Sequence, residues 1–181
     1  YFMRKLTLLR HAKSSWSDHG TADIDRPLTS RGRRGALKIG TFMAENKIFP
    51  DLILCSPSRR TRETLSQINP FLPDGIDVQI EKSIYSAGHG DGLVCYLKSS
   101  AIEEAHVMII GHNPTMQQMA LNLTTPTPEN GYSLIEKKYP TAALTQIRFD
   151  IDDWSQLKGR GELLHFVTPK MLPGLPADDE D

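Results

Sequence analysis

The chain has 181 residues and a formal net charge of -1, from 21 lysines and arginines against 22 aspartates and glutamates. Hydrophobic residues make up 39% and charged residues 24%, proportions typical of a folded protein, which excludes wholesale disorder and a collagen-like repeat. A near-neutral chain does not match proteins that bind nucleic acid through their overall charge, so we expect no nucleic-acid partner. No apolar stretch approaches the ~20 residues that span a bilayer and no signal peptide is visible, so we expect a cytoplasmic location and no membrane partner.

Short apolar strands alternate with helical patterns along the chain. The strand-like segments are residues 5–10, 51–55, 77–81, 106–110, 142–149 and 163–167. The helical patterns cover about residues 29–46, 57–68, 91–98 and 114–123, and Asn113 is the expected cap of the last one. This alternation predicts an α/β fold with three layers, in which helices flank a mostly parallel sheet.

The length of the chain favours one domain, which we expect to occupy residues 1–172. Residues 173–181 are rich in proline and then acidic, so we expect a disordered acidic tail there. Two long connections, residues 12–28 and 124–141, interrupt the alternation. Connections of this length inside a compact domain are usually functional or mobile.

Cationic and imidazole side chains follow three of the predicted strands. Arg10 and His11 end the first strand, Arg60 follows the second, and His112 and Asn113 follow the fourth. Ligands of α/β proteins bind beyond the carboxyl ends of the strands. If these three strands are parallel neighbours, the side chains therefore share one crevice.

The chemistry of that crevice points to a phosphate pocket. Guanidinium groups and helix N-termini both bind oxyanions, and a neutral imidazole is a nucleophile near pH 7. The expected reaction is in-line attack by a ring nitrogen of His11 on phosphorus, followed by hydrolysis of the phosphohistidine by water. Arg10, Arg60 and His112 would stabilise the charge on the equatorial oxygens. No acidic residue of these segments is expected to pair with them, which argues against a salt-bridged core network.

Three ordered motifs contain these residues: Arg10-His11-Ala12-Lys13-Ser14, Ser56-Pro57-Ser58-Arg59-Arg60-Thr61 and Gly111-His112-Asn113-Pro114. A fourth motif, Asp25-Arg26-Pro27-Leu28-Thr29, lies between the first two. Together they resemble the histidine phosphatase superfamily, which has the phosphoglycerate mutase-like fold, and within it the SixA-type protein phosphohistidine phosphatases. The resemblance implies that His11 is the phosphorylated nucleophile and that Arg10, Arg60 and His112 bind phosphate. It also implies a hydrogen bond from Asn113 to phosphate. The family spacing selects Arg60 over the adjacent Arg59.

The segment after the third predicted strand departs from the wider superfamily. Many members carry a Glu or Asp proton donor there, whereas residues 83–89 contain no carboxylate, and SixA-like proteins resemble this sequence in that absence. An alkoxide leaving group benefits from a general acid by about 10²–10⁴ in rate, whereas an imidazole departs more easily. We therefore expect a signalling phosphatase that hydrolyses phosphohistidine in proteins and releases inorganic phosphate.

Two alternative functions stay open from the sequence. The chain could be a phosphatase of a small phosphorylated substrate, which would need the missing acid, or a phosphate-binding module without catalysis, against which the intact set of four side chains argues. None of the six histidines shares a metal-ligand spacing with another, so we expect a metal-independent enzyme with no cofactor.

Overall fold

A computed structural model, which describes residues 3–174, has a six-stranded sheet at its centre. The strands are β1 (Arg4–Arg10), β2 (Leu52–Cys55), β3 (Asp77–Ile80), β4 (His106–Gly111), β5 (Leu144–Phe149) and β6 (Glu162–Val167). Their order across the sheet is β3-β2-β4-β1-β5-β6. The first four strands are parallel, and β5 is antiparallel to both β1 and β6. The predicted α/β fold with a mostly parallel sheet is thus confirmed.

Five α-helices of at least six residues surround the sheet within the described residues. They are α1 (Ser30–Glu45), α2 (Arg59–Ile68), α3 (Asp91–Ser99), α4 (Thr115–Leu123) and α5 (Tyr132–Lys137). The helix predicted to begin at Pro57 begins at Arg59. Ser58 is its N-cap, and the Ser58 side chain accepts a hydrogen bond from the Thr61 amide. The connection 124–141 contains α5, which at six residues is too short to show a helical period in the sequence.

The alternating side chains of β4 show how the three layers form. Val107 and Ile109 belong to a core cluster with residues of α3, α4 and α5, whereas Met108 and Ile110 belong to a second cluster with α1 and α2. Successive residues of a strand point to opposite faces, so a strand covered on both sides is apolar at every position. The sheet therefore separates two cores, as the predicted three-layer arrangement requires.

Three adjacent parallel strands bring the cationic segments to one edge. In the register of the sheet, Arg10 of β1 lies opposite Gly111 of β4, and Cys55 of β2 lies opposite Ile110 of β4. The carboxyl ends of β2, β4 and β1 therefore open onto the same side of the molecule. The sequence-based condition that these strands be parallel neighbours is met.

Two predictions about domain organisation stay untested by the structure. The expected tail at 173–181 lies almost wholly outside the described residues, and the single domain at 1–172 stays a prediction. Between residues 3 and 174, no helix combines the length and the apolar character that crossing a bilayer needs.

Candidate active site

His11 follows β1 directly, and its backbone is held on both sides. Its amide donates to the Gly111 carbonyl at 3.0 Å, and its own carbonyl accepts from the Ala142 amide at 3.0 Å. Its ring Nδ1 lies 2.7 Å from the Ala12 carbonyl oxygen. A carbonyl only accepts, so Nδ1 carries the proton and Nε2 keeps a free lone pair. The buried ring therefore offers Nε2 as a nucleophile.

His112 lies beside His11, with the two ring centroids 5.3 Å apart and the ring planes tilted by 52°. Its Nδ1 is 3.3 Å from Nη2 of Arg60, and its Nε2 is 2.7 Å from Oγ of Ser56. A guanidinium group can only donate, so Nδ1 of His112 accepts and Nε2 donates to Ser56. These contacts fix the tautomer and orientation of the second imidazole, and they bring the ends of β2, β4 and α2 together.

Arg10 and Asn113 share one acceptor, the backbone carbonyl of Tyr139. Nη1 of Arg10 donates to it at 2.8 Å, and Nδ2 of Asn113 donates to it at 3.0 Å. Three buried polar atoms of the site make no hydrogen bond within the described chain: Nε of Arg10, Nε of Arg60 and Oδ1 of Asn113. Buried donors normally have partners, so two free guanidinium N–H groups close to two neutral imidazoles suit an oxyanion.

Comparison with known proteins shows which family the chain belongs to. The family model of the histidine phosphatase superfamily (branch 1) matches residues 6–91. The crystal structure of the proposed phosphohistidine phosphatase SixA from Agrobacterium tumefaciens is 30% identical, has a TM-score of 0.73, and covers 93% of this chain and 100% of its own. The chain belongs to the histidine phosphatase superfamily. A proposed SixA from Nakamurella multipartitia shares the fold of this superfamily member at 24% identity, with a TM-score of 0.77 over 92% of this chain and 96% of that one.

Two sequence relatives extend the comparison. An uncharacterized protein of Mycobacterium leprae is 32% identical over 168 residues, which cover 90% of this superfamily member and 100% of the relative. An uncharacterized chloroplastic protein of Arabidopsis thaliana is 35% identical over 131 residues, which cover 67% of this chain. The matched part spans only 59% of the Arabidopsis protein. Neither relative adds a substrate or a partner.

The electrostatics of the site keep both imidazoles neutral. Burial, opposed by the bond to Ala12 and assisted by the charges of His112, Arg60 and Arg10, lowers the pKa of His11 to about 3. Burial and then the charge of Arg60 lower the pKa of His112 to about 4. Both rings are therefore unprotonated near pH 7, which leaves the lone pair of His11 Nε2 available in this superfamily member.

Asp23 is a residue of the site that the sequence analysis missed. Its Oδ2 accepts from Nη2 of Arg60 at 3.1 Å and from the Tyr85 hydroxyl at 2.7 Å, and its Oδ1 accepts from Nε of Arg26 at 3.0 Å. The expectation covered only the acidic residues of the motifs, and Asp23 lies two residues before the motif that begins at Asp25. Asp23 lies in a short 3₁₀ turn, Asp23–Asp25, inside the long connection 12–28. Its carboxylate bonds to Arg60, Arg26 and Tyr85 rather than to either histidine ring.

The structure brings together Arg10, His11, Arg60 and His112, as the sequence analysis expected, while their catalytic roles stay predictions.

Asn113 lies beside these four side chains, but it does not cap α4: the N-cap position is Pro114, and no side chain caps that helix. The side-chain amide of Asn113 bonds to the Tyr139 carbonyl instead. Arg59 is exposed and bonds to Glu63, away from His112.

A metal centre has little support in the geometry. Throughout residues 3–174, no three His, Cys, Asp or Glu side chains lie close enough together to hold a metal ion. The buried donors at the site are guanidinium N–H groups, which repel cations. The metal independence expected from the sequence stays a prediction.

The buried histidines are expected to make stability depend on pH. Burial lowers the pKa of His11 to about 3 and those of His106 and His112 to about 4, below the 6.5 of an exposed histidine. The unfolded chain then binds more protons below that value, so the free energy of unfolding is highest above about pH 6.5 and falls as the pH drops toward about 4. Urea denaturation followed by tryptophan fluorescence at about pH 7 and about pH 5 measures the difference.

His106 allows this pH dependence to be tested away from the catalytic crevice. It starts β4 at the far end of the strand, and its ring bonds to Thr7 and to the Phe49 carbonyl. His106→Gln is expected to flatten the pH dependence by up to about 1.4 kcal/mol per pH unit. Equal slopes in His106→Gln and the unaltered protein would contradict the assignment of a low pKa to this residue.

Proposed function

We propose that this superfamily member is a phosphatase that hydrolyses phosphohistidine in proteins through a covalent phosphohistidine on His11. The observation that supports it most directly is the neutral His11 ring with its free Nε2, together with the Nε donors of Arg10 and Arg60, which make no hydrogen bond within the described chain. The SixA proteins that share its fold are themselves described as phosphohistidine phosphatases. The proposed product is inorganic phosphate, and the proposed setting is cytoplasmic signalling.

The first step transfers the phosphoryl group to His11. The lone pair of Nε2 forms a bond to phosphorus, while the bond between phosphorus and the substrate nitrogen breaks and its electron pair stays on that nitrogen. When the other nitrogen of the substrate ring carries a proton, the ring departs as neutral imidazole. Arg10 and Arg60 balance the charge of the three equatorial oxygens during transfer.

The second step releases phosphate by attack of water on the same phosphorus. The phosphorylated ring holds its Nδ1 proton against the Ala12 carbonyl, so His11 departs as the same neutral tautomer that began the cycle. The water oxygen bonds to phosphorus and keeps one proton, its other proton moves to a phosphate oxygen, and the electron pair of the broken bond returns to Nε2. The Ala12 carbonyl thus stabilises the positive ring of the intermediate as well as the starting tautomer.

The preference for phosphohistidine over alkyl phosphates follows from the carboxylate nearest to Arg60. Hydrogen bonds from Tyr85 and Arg60 hold the pKa of Asp23 at about 2, so this carboxylate has no proton to give near pH 7. An alkoxide needs such a proton when it leaves, whereas a protonated phosphoimidazole carries its own. The site therefore suits a phosphoramidate bond.

A substrate panel tests the proposed function. We expect a phosphohistidine peptide to be hydrolysed with a kcat/KM at least about 10²-fold above that of an unactivated sugar phosphate, because only the sugar phosphate requires a general acid. Release of inorganic phosphate from each substrate at equal concentration gives the measurement. A sample treated with EDTA serves as the control for metal dependence.

Two results would contradict the proposal. Efficient hydrolysis of the sugar phosphate with the phosphohistidine peptide left intact would favour the small-molecule phosphatase. Tight binding of phosphate without hydrolysis of any substrate would favour the non-catalytic module.

A further inference from the structure

The Asp23 carboxylate occupies the rim of the phosphate pocket. The Arg60 side chain is only 7% exposed, whereas the Asp23 side chain bonded to it is 50% exposed. Tyr85, which donates to the same carboxylate, is also exposed and packs edge-on against His112 with ring centroids 5.5 Å apart. Asp23 therefore lies on the solvent side of the pair formed by His112 and Arg60, where a substrate must approach.

Several contacts keep Asp23 in this position. Arg60 binds it twice, because Nη1 donates to the backbone carbonyl of Asp23 at 2.6 Å and Nη2 donates to the carboxylate at 3.1 Å. Arg26 binds the other carboxylate oxygen and also donates to Ser14 and to the Ser15 carbonyl. A negative charge is thereby held at a defined place beside a pocket for an anion.

The proposed transfer places the leaving group near the Asp23 carboxylate. In-line transfer to His11 places the leaving group on the side of phosphorus opposite to the attacking nitrogen. The ring of His11 lies beside that of His112, and the two neighbours of His112, Arg60 and Tyr85, both donate to the half-exposed Asp23 carboxylate. A carboxylate at that rim attracts a positively charged leaving group and repels a negatively charged one.

We propose that Asp23 is a specificity-determining residue, whose carboxylate selects substrates with a neutral or positively charged leaving group over substrates with an anionic one. The favoured class includes protonated phosphoimidazoles and phosphorylated amines. The disfavoured class includes phosphates of hydroxy acids and bisphosphates. The inference rests on the proposed transfer of phosphate to His11, because it concerns the group that departs in that step.

Three activated nitrophenyl phosphates test this inference on the full chain. One is unsubstituted, one carries an additional carboxylate and one carries an aminomethyl group, so that the leaving groups differ mainly in charge. The measured quantity is the ratio of kcat/KM for the aminomethyl substrate to that for the carboxylate substrate. Comparing this ratio between the unaltered protein and Asp23→Asn cancels the intrinsic reactivities of the substrates.

We expect Asp23→Asn to lower this ratio on the order of tenfold, because one unit charge a few ångströms from the leaving group is removed. The ratio of the unaltered protein should also decline as salt is raised, since the carboxylate is half exposed. Asp25→Asn is the matched control: it removes the same charge from the same turn, but that carboxylate bonds to none of Arg60, Arg26 and Tyr85. It should change the ratio by less than about twofold.

An unchanged ratio in Asp23→Asn would overturn the inference, and so would an equal decrease in Asp25→Asn, which would indicate overall charge. Tyr85→Phe provides a second variant if Asp23→Asn fails to fold: it keeps the carboxylate and should keep the preference for the aminomethyl substrate. Loss of that preference in a folded Tyr85→Phe would also overturn the inference. If the unaltered protein hydrolyses none of the three substrates and forms no phosphoenzyme, the proposed function itself has failed.

Discussion

His11→Ala is expected to lower kcat by at least about 10⁴-fold, because the variant has no nitrogen that can accept the phosphoryl group. In the unaltered protein, brief exposure to a radiolabelled phosphohistidine substrate should leave phosphate on the chain, in a bond that acid cleaves and alkali does not. His11→Ala should show no such label. Rapid quench followed by denaturing electrophoresis gives the measurement.

His89→Ala is the control for this experiment. His89 is exposed in the segment that follows β3, the region in which many superfamily members carry a proton donor. We expect that variant to retain labelling and to keep kcat within about twofold. Labelling of His11→Ala at the level of the unaltered protein would show that another residue is the nucleophile.

Replacement of Arg60 is expected to have the second largest effect. Arg60→Ala should lower kcat by about 10²–10³-fold, because one guanidinium donor to the equatorial oxygens is lost. It should also weaken inhibition by vanadate, an anion that resembles phosphate. Arg60→Lys keeps the charge but not the planar fork, so we expect only partial recovery.

Arg59 provides a control from the adjacent position. Its guanidinium is half exposed and bonds to Glu63 on the same face of α2. Arg59→Ala should therefore keep kcat and vanadate inhibition within about twofold, since exposed ion pairs contribute little. Equal losses in the two variants would contradict the assignment of the phosphate-binding role to Arg60. Thermal unfolding of both variants verifies that the fold is intact.

The fold was predictable because the central strands β2 and β4 are apolar over most of their length and the long helices have an apolar face. In β4, every residue is buried, and the strand was predicted within one residue of its observed end. The exposed β3 was still recognisable from its alternating branched residues. The short helix α5 was not predicted, since its six residues complete fewer than two turns and its stability comes from packing of Ile135 into the core.

The candidate site was predictable as far as it lies at strand ends. His11 and His112 follow parallel neighbours directly, so the topology alone brings them together. Asp23 and Tyr85 lie on irregular segments whose paths depend on tertiary contacts, and no periodic pattern places them beside Arg60. The one available signal was the unusual length of the connection 12–28, which indicated a functional segment without indicating which residue contacts the site.

The residues of the candidate active site come from two kinds of segment. His11 is anchored by β4 and by the chain before β5, whereas Asp23 and Tyr85 at the rim come from the connection 12–28 and from the turn after β3. Asp23 and Tyr85 take no part in the backbone bonds that hold His11. We therefore expect substitutions at the rim to change which phosphorylated molecule is preferred while the proposed transfer to His11 is kept.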